Sequence, residues 1–219
     1  MEPRTHKEPW SWRQWGVVIV IVAVMVFLTQ PQICVQTERS QQVKAMSNCR
    51  QIISALHLYA GDHAGAYPDS DPSQPMTANA AFRLLIKDDI IQDERIFGCP
   101  WSPFNGDNNI GTAPDFIDAI EANENHWMLV GNQKEDAPDN RLLVFENCLT
   151  TQPPLRWKPH SAGELCRGRT WEKNKILIGL NDNSVTLITL NSDGPLPQDT
   201  TPPIDLPPDA KILDIETAP

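Results

Sequence analysis

An unbroken apolar run, Gly16 to Leu28, leads into a one-faced amphipathic stretch that reaches Tyr59. This order constrains the fold more than any other feature, because it reads as a hydrophobic anchor and a soluble helix joined in one rod. The run has no polar face, so it is not the stripe of a surface helix. Thirteen residues at helical rise cover only about 20 Å of a roughly 30 Å hydrocarbon slab. Adding Trp15 at one end and Ile33, Cys34 and Val35 at the other gives a span of 15–35, long enough to cross. Trp10, Trp12 and Trp15 suit a headgroup interface, where an apolar ring with an N–H satisfies both phases. Arg4, Lys7 and Arg13 precede the run and no cation closely follows it, which predicts a cytoplasmic leader over 1–14. A cleaved secretory signal is the competing reading. Thr29 to Cys34 lacks a small-x-small cleavage pattern, and Gln32-Ile33 makes Cys34 a poor lipid acceptor, so the anchor is expected to be retained.

The remainder is long enough for one domain with an ordinary core. A net charge of −10 argues against a nucleic-acid partner, which requires a cationic surface. The folded domain is expected over 36–192. From Asp193 to Pro219 the chain carries seven prolines with acids between them, and this tail, 193–219, is expected to be disordered. The Ile212-Leu213-Asp214-Ile215 patch is its one candidate for an edge strand.

Within 37–59, Val43, Met46, Cys49, Ile52, Ile53, Leu56 and Tyr59 recur every three or four residues, with Gln, Ser, Lys and Arg on the other face. Gly61 and Pro68 end that helix. The rod is expected to bend near Pro31, which removes a backbone donor. Thr77 is placed to cap a second helix whose buried stripe is Ala81, Leu84 and Leu85. Ile96 to Pro100 reads as a short buried segment entering a turn. Strand-like runs follow at His126–Val130, Arg141–Phe145, Lys175–Leu180 and Val185–Leu190, the last two flanking the polar turn Asn181-Asp182-Asn183-Ser184. Long helix first and antiparallel strands afterwards is an α+β order, with the helix packed on a small antiparallel sheet.

Chemistry-bearing residues are sparse. No cysteine belongs to a CxxC pair and no histidine lies at zinc-finger spacing from one, so neither a metal nor another cofactor is expected. In an oxidising compartment Cys49, Cys99, Cys148 and Cys166 are disulfide candidates with three possible connectivities. Cys99 is the first choice for Cys49, because its Cys-Pro turn follows the second helix and can return to the first. Asp62-His63 reads as a solvated loop. His160, Ser161 and Asp182 make a hydrolase triad only on paper, since Ser161 lacks a Gly-x-Ser-x-Gly elbow. No catalytic residue is assigned, and the chain is expected not to be an enzyme.

The block Ser47-Asn48-Cys49-Arg50-Gln51-Ile52, Ala55-Leu56, Tyr59-Ala60-Gly61-Asp62 and Gly65-Ala66-Tyr67-Pro68 resembles the N-terminal region of type IV pilin-like and type II secretion pseudopilin proteins, in the branch common in planctomycetes and verrucomicrobia. Phe97-Gly98-Cys99-Pro100, His126 to Asn132 and the hairpin Ile176 to Val185 are similar to later landmarks of that group. The resemblance touches most of 16–190, and the 47–68 block is its specific part. Matching Pro31 to the family's helix-kinking proline puts Trp10 at the processed N-terminus. Pro9 then stands where processing requires glycine, and Gln14 where assembly uses a glutamate. The resemblance therefore implies a pilin-like fold with a degenerate processing site at Pro9, Trp10 and Gln14. Asn183 replaces the family's hairpin glycine and still tolerates positive φ. Because some pseudopilins bind calcium, the resemblance also permits a Ca²⁺ site at Asp107-Asn108-Asn109 or Asn181-Asp182-Asn183. Turn chemistry explains both clusters without a metal.

The function these features imply is a single-pass inner-membrane protein whose pilin-like domain lies in the periplasm. It serves as a structural or interaction subunit beside other pilin-like or secretion-assembly subunits. The alternative is a membrane-tethered periplasmic enzyme or ligand-binding module, built on the loops after Cys99 and around His160.

Overall fold

The computed structural model describes residues 12–68, 76–201 and 203–218, with the side chains of 27–36 outside the described set. Helix α1 (Trp12–Asp62) holds its helical backbone without a break through Val35–Ser40. The chain divides within this helix into an N-terminal unit ending at Gln42 and a C-terminal unit beginning at Val43. In the N-terminal unit most of the apolar side chains from Val17 to Val26 face solvent, Ile19 at 64% and Ile21 at 49%, while Val18 is half-buried. Among the described residues no helix is long and apolar enough to cross a membrane; the described side chains cover the expected 15–35 span only as far as Val26.

The C-terminal unit is α+β. Its five-stranded antiparallel sheet contains β1 (Trp127–Val130), β2 (Leu142–Glu146), β3 (Lys175–Leu180), β4 (Val185–Thr189) and β5 (Ile212–Leu213), in the order β4-β3-β2-β1-β5. The 43–62 part of α1 covers one face, where Ala45, Cys49, Ile52, Ile53 and Leu56 share a core with Leu129, Val144 and Leu177. Successive strand residues point to opposite faces, so Met128, Val130, Ile176 and Ile178 enter a second core with Phe145, Leu155 and Trp157. Gly179 lets α1 approach β3. A Cβ there would lie 2.4 Å from Ile53 Cδ1 and 2.8 Å from Cys49 Sγ.

Helix α2 (Ala78–Lys87) starts at Thr77, whose side chain accepts the Ala80 N–H at 3.0 Å. Its buried face holds Ala81, Phe82, Leu85 and Ile86, whereas Leu84 is only half-buried. A 3₁₀ turn, Glu94–Phe97, leads into the Cys99-Pro100 bend.

The last segment departs from the expectation of an exposed, disordered tail. β5 pairs with β1 through Leu129↔Leu213 and Val130↔Ile212, and Ile212, Leu213 and Ile215 are buried. Beyond it, Glu216 holds Arg83 through two hydrogen bonds of 2.6 and 3.1 Å and takes the Asn123 N–H on its backbone carbonyl. The prolines do exclude helix and central strand, as composition requires. They do not exclude a cover. β3 is apolar on both faces, α1 shields only one, and the C-terminal segment shields part of the other.

The hairpin turn is locked to α1. His57 Nε2 meets Asn181 O at 2.7 Å, and Tyr67 Oη donates to Asn181 Oδ1 at 2.7 Å. Asn183 takes φ 65° there, the left-handed conformation its residue type tolerates.

Candidate functional site

The strongest concentration of polar chemistry among the described residues lies at the end of the inner strands β1 and β2, where four separate segments bring Cys99, Ser102, His126, Glu146 and Arg169 together. His126 enters from the start of β1, fixed by its own N–H on Phe97 O (2.8 Å) and by its carbonyl on Asn147 N–H (3.0 Å). Glu146 ends β2 opposite Trp127. Its Oε1 accepts the Trp171 Nε1–H at 2.8 Å and its Oε2 the Leu177 N–H at 2.8 Å. The same Oε1 lies 3.4 Å from His126 Nε2 and 3.7 Å from Cys99 Sγ. Ser102 Oγ is 2.7 Å from His126 Nδ1. Arg169 closes the cluster, its guanidinium 4.3 Å over the Trp171 ring and its Nη2 donating to Pro100 O at 2.8 Å.

The hydrogen-bond network assigns the imidazole proton. Asn147 Oδ1 accepts the Gly168 N–H at 2.8 Å, so its amide nitrogen is the atom 2.8 Å from His126 Nδ1. Nδ1 is therefore an acceptor and Nε2 carries the proton toward Glu146. Burial holds the His126 pKa below its ordinary value, and Arg169 adds to this against the opposing pull of Glu146. His126 Nε2 and Glu146 Oε1 thus face each other at 3.4 Å, a long contact for an N–H···O bond. Burial, with Glu146 adding to it, raises the Cys99 thiol well above its usual range. Two donors, Arg169 Nε and Nη1, are buried without a hydrogen-bond partner, which is costly for a group that is 2% exposed.

A Ser–His–Glu line suggests acyl-transfer chemistry. Ser102 and His126 are both buried, however, at 6% and 1% exposure, so a substrate carbonyl has no access to Ser102 Oγ. The arrangement as it stands is a sealed polar hub, tying β1, β2 and β3 to the Cys99-Pro100 bend.

Of the residues singled out from the sequence, Cys99 and His126 belong to this cluster and the others lie elsewhere. Ser161 Oγ donates to Lys158 O, and Asp182 Oδ1 accepts the Ser184 N–H at 2.8 Å, as a turn residue does. His160 is exposed in a left-handed turn at φ 60°. These three residues therefore have separate roles. His63 stacks on Tyr59 at 3.8 Å and meets Asp88 Oδ2 at 3.6 Å on the exposed end of α1. Asp107 Oδ1 accepts the Asn109 N–H at 2.7 Å, and one oxygen each of Glu94, Asp107 and Glu124 lie within 4.8 Å of one another. Glu94 is the buried member and accepts the Ile120 N–H at 3.0 Å; burial raises its pKa first, partly offset by that bond.

Cys49, Cys99, Cys148 and Cys166 are all free, so none of the three disulfide connectivities is formed here. Cys49 is buried against Gly179, and Cys99 is engaged with Glu146 and Arg169. Burial raises the Cys148 thiol to about 11, while Cys166 is half-buried. Of the processing site, Pro9 and Trp10 lie outside the described residues and Gln14 lies in α1. Ser102, Glu146, Asn147 and Arg169 carry no local sequence signal, because no two of the converging segments are neighbours in the chain.

The chain matches no protein-family model, and neither curated proteins nor solved structures give a significant match to it.

Proposed function

We propose that this chain is a membrane-anchored, pilin-like structural or interaction protein of the cell envelope, without catalytic activity. Its anchor is the 15–35 span, its N-terminus is cytoplasmic, and its α+β unit is periplasmic beside other pilin-like or secretion-assembly subunits. One observation carries the reading. A single helix begins with a run of mostly exposed apolar side chains, Val17 and Ile19 to Val26, and ends with Ala45, Ile52 and Leu56 buried on a sheet. Apolar side chains so exposed demand a lipid or protein cover. The sealed state of the Ser102–His126–Glu146 line supports the absence of hydrolytic chemistry.

The experiment is fractionation with an alkaline wash, followed by labelling of intact cells opened only at the outer membrane. A membrane-impermeant maleimide should reach Cys166, which is half-buried, while the protein stays in the membrane pellet. Release into the soluble fraction, or labelling only after inner-membrane lysis, overturns the proposal. Phosphonylation of Ser102 Oγ by a small fluorophosphonate, with release of fluoride, would favour the tethered-enzyme alternative.

A further inference from the structure

We propose that Cys99, His126 and Glu146 form a buried site for a thiophilic divalent cation, Zn²⁺, with its fourth position held by a small anion or hydroxide facing Arg169. The three donors are a sulfur, an imidazole nitrogen and a carboxylate oxygen, the ligand set zinc prefers. All three residues are buried at 1% exposure or less, and the donor atoms lie within 4.8 Å of one another.

The separations decide between a hydrogen-bonded cluster and a coordination site. Zn–ligand distances of about 2.0–2.3 Å in a tetrahedron put nitrogen and oxygen ligands about 3.4 Å apart, and sulfur and oxygen about 3.6 Å apart. The observed values are 3.4 Å for His126 Nε2 to Glu146 Oε1 and 3.7 Å for Cys99 Sγ to Glu146 Oε1. As an N–H···O bond, the 3.4 Å contact is beyond the usual range of about 2.7–3.2 Å. The spacing is poor for hydrogen bonding and suitable for two ligands on one ion.

Part of the outer shell is in place as well. Trp171 Nε1–H and Leu177 N–H fix the Glu146 carboxylate, and Ser102 Oγ lies 2.7 Å from His126 Nδ1. Arg169 supplies the independent observation. Its Nη2 lies 3.6 Å from Cys99 Sγ, while Nε and Nη1 are buried donors with nothing to donate to. Zn²⁺ with a thiolate and a carboxylate sums to zero, so the guanidinium charge is left to balance an anionic fourth ligand. That ligand would give one of the orphaned N–H groups an acceptor.

The protons balance as follows. Loading removes the Cys99 thiol proton and the His126 Nε2 proton. Nδ1 takes one up and donates it to Ser102 Oγ, one leaves to solvent, and where the fourth ligand is hydroxide formed from water a further proton leaves with it. Asn147 must turn its amide nitrogen away from Nδ1, a cost set against the metal bonds.

The test uses the full chain purified in detergent from cells grown with added Zn²⁺ or Co²⁺. One metal per chain by mass spectrometry is expected, together with a thiolate-to-cobalt charge-transfer band in the near ultraviolet. Cys99→Ser should abolish the band and lower zinc retention at least tenfold, while Cys166→Ser should change neither. If Cys99→Ser fails to fold by circular dichroism, the wild-type and Cys166→Ser spectra decide. Metal below about one tenth per chain in both preparations, no charge-transfer band, or a band lost with Cys166→Ser overturns the site.

Discussion

Gly179→Ala tests the closest approach in the fold. The added methyl carbon would lie 2.4 Å from Ile53 Cδ1, 2.8 Å from Cys49 Sγ and 3.3 Å from the Val144 carbonyl oxygen. Carbon atoms in contact sit about 3.5–4.0 Å apart, so α1 must lift from β3 or Ile53 must leave its rotamer. Overpacking of this kind costs about 1–3 kcal/mol. A domain of this size loses roughly 2–4 °C of Tm per kcal/mol, so the expected fall is about 2–12 °C. The cause can be isolated with Ile53→Val, which deletes the clashing Cδ1 and alone costs about 0.5–1.5 kcal/mol. The double variant should be more stable than the sum of the two singles predicts, with a coupling above about 0.5 kcal/mol. Thermal and urea unfolding followed by circular dichroism measure all four proteins. An unchanged Tm for Gly179→Ala, or strict additivity with Ile53→Val, would refute the packing of α1 on β3 at this point.

Other expectations concern the two ends of the chain and its thiols. Burial alone would raise the Glu216 pKa, but its hydrogen bonds from Arg83 and Thr77 win and lower it. The folded pKa is depressed, so the contribution of Glu216 is fully present above its ordinary value of about 4.5 and is lost as pH falls below it. Glu216→Gln should therefore narrow the stability gap between wild type and variant on acidification from pH 6 to pH 3, and a constant gap in a pH series of urea melts would contradict the Arg83 clamp. On the proposed function, intact-mass measurement of the membrane-extracted protein should find no chain beginning at Trp10 with a methylated amine, because Pro9 stands where processing of pilin-like proteins requires glycine. Native labelling should modify Cys166 well before Cys49, Cys99 or Cys148, and all four should label after denaturation without reductant. A pair that resists labelling until reduced would restore the disulfide expectation.

The elements legible in the sequence are those set by contacts within a few residues. The three-and-four spacing from Val43 to Tyr59, the cap at Thr77 and the strand runs around Asn181-Asp182-Asn183-Ser184 each name an element that forms. Leu84 shows where periodicity stops being enough. It lies on the predicted stripe of α2 and is only half-buried, because which arc of a helix is covered depends on the elements beside it. The same limit hid the polar cluster. Along the chain Cys99 is a disulfide candidate in a Cys-Pro turn and His126 opens a strand run, and no spacing links either to Glu146.

Local chemistry alone determined that one helix would be apolar at its start and amphipathic at its end, and that antiparallel strands would follow it. Those properties depend on residue type and spacing, which are read directly along the chain. Tertiary structure alone decided that the proline-rich tail adds an edge strand and clamps Arg83, since a two-faced sheet with one helical cover leaves apolar surface to shield. It also decided that Cys99, His126 and Glu146 meet. Their separations of 27 and 20 positions carry no spacing signal, and they converge because β1 pairs with β2 while His126 takes its N–H to Phe97 O beside the Cys99 bend.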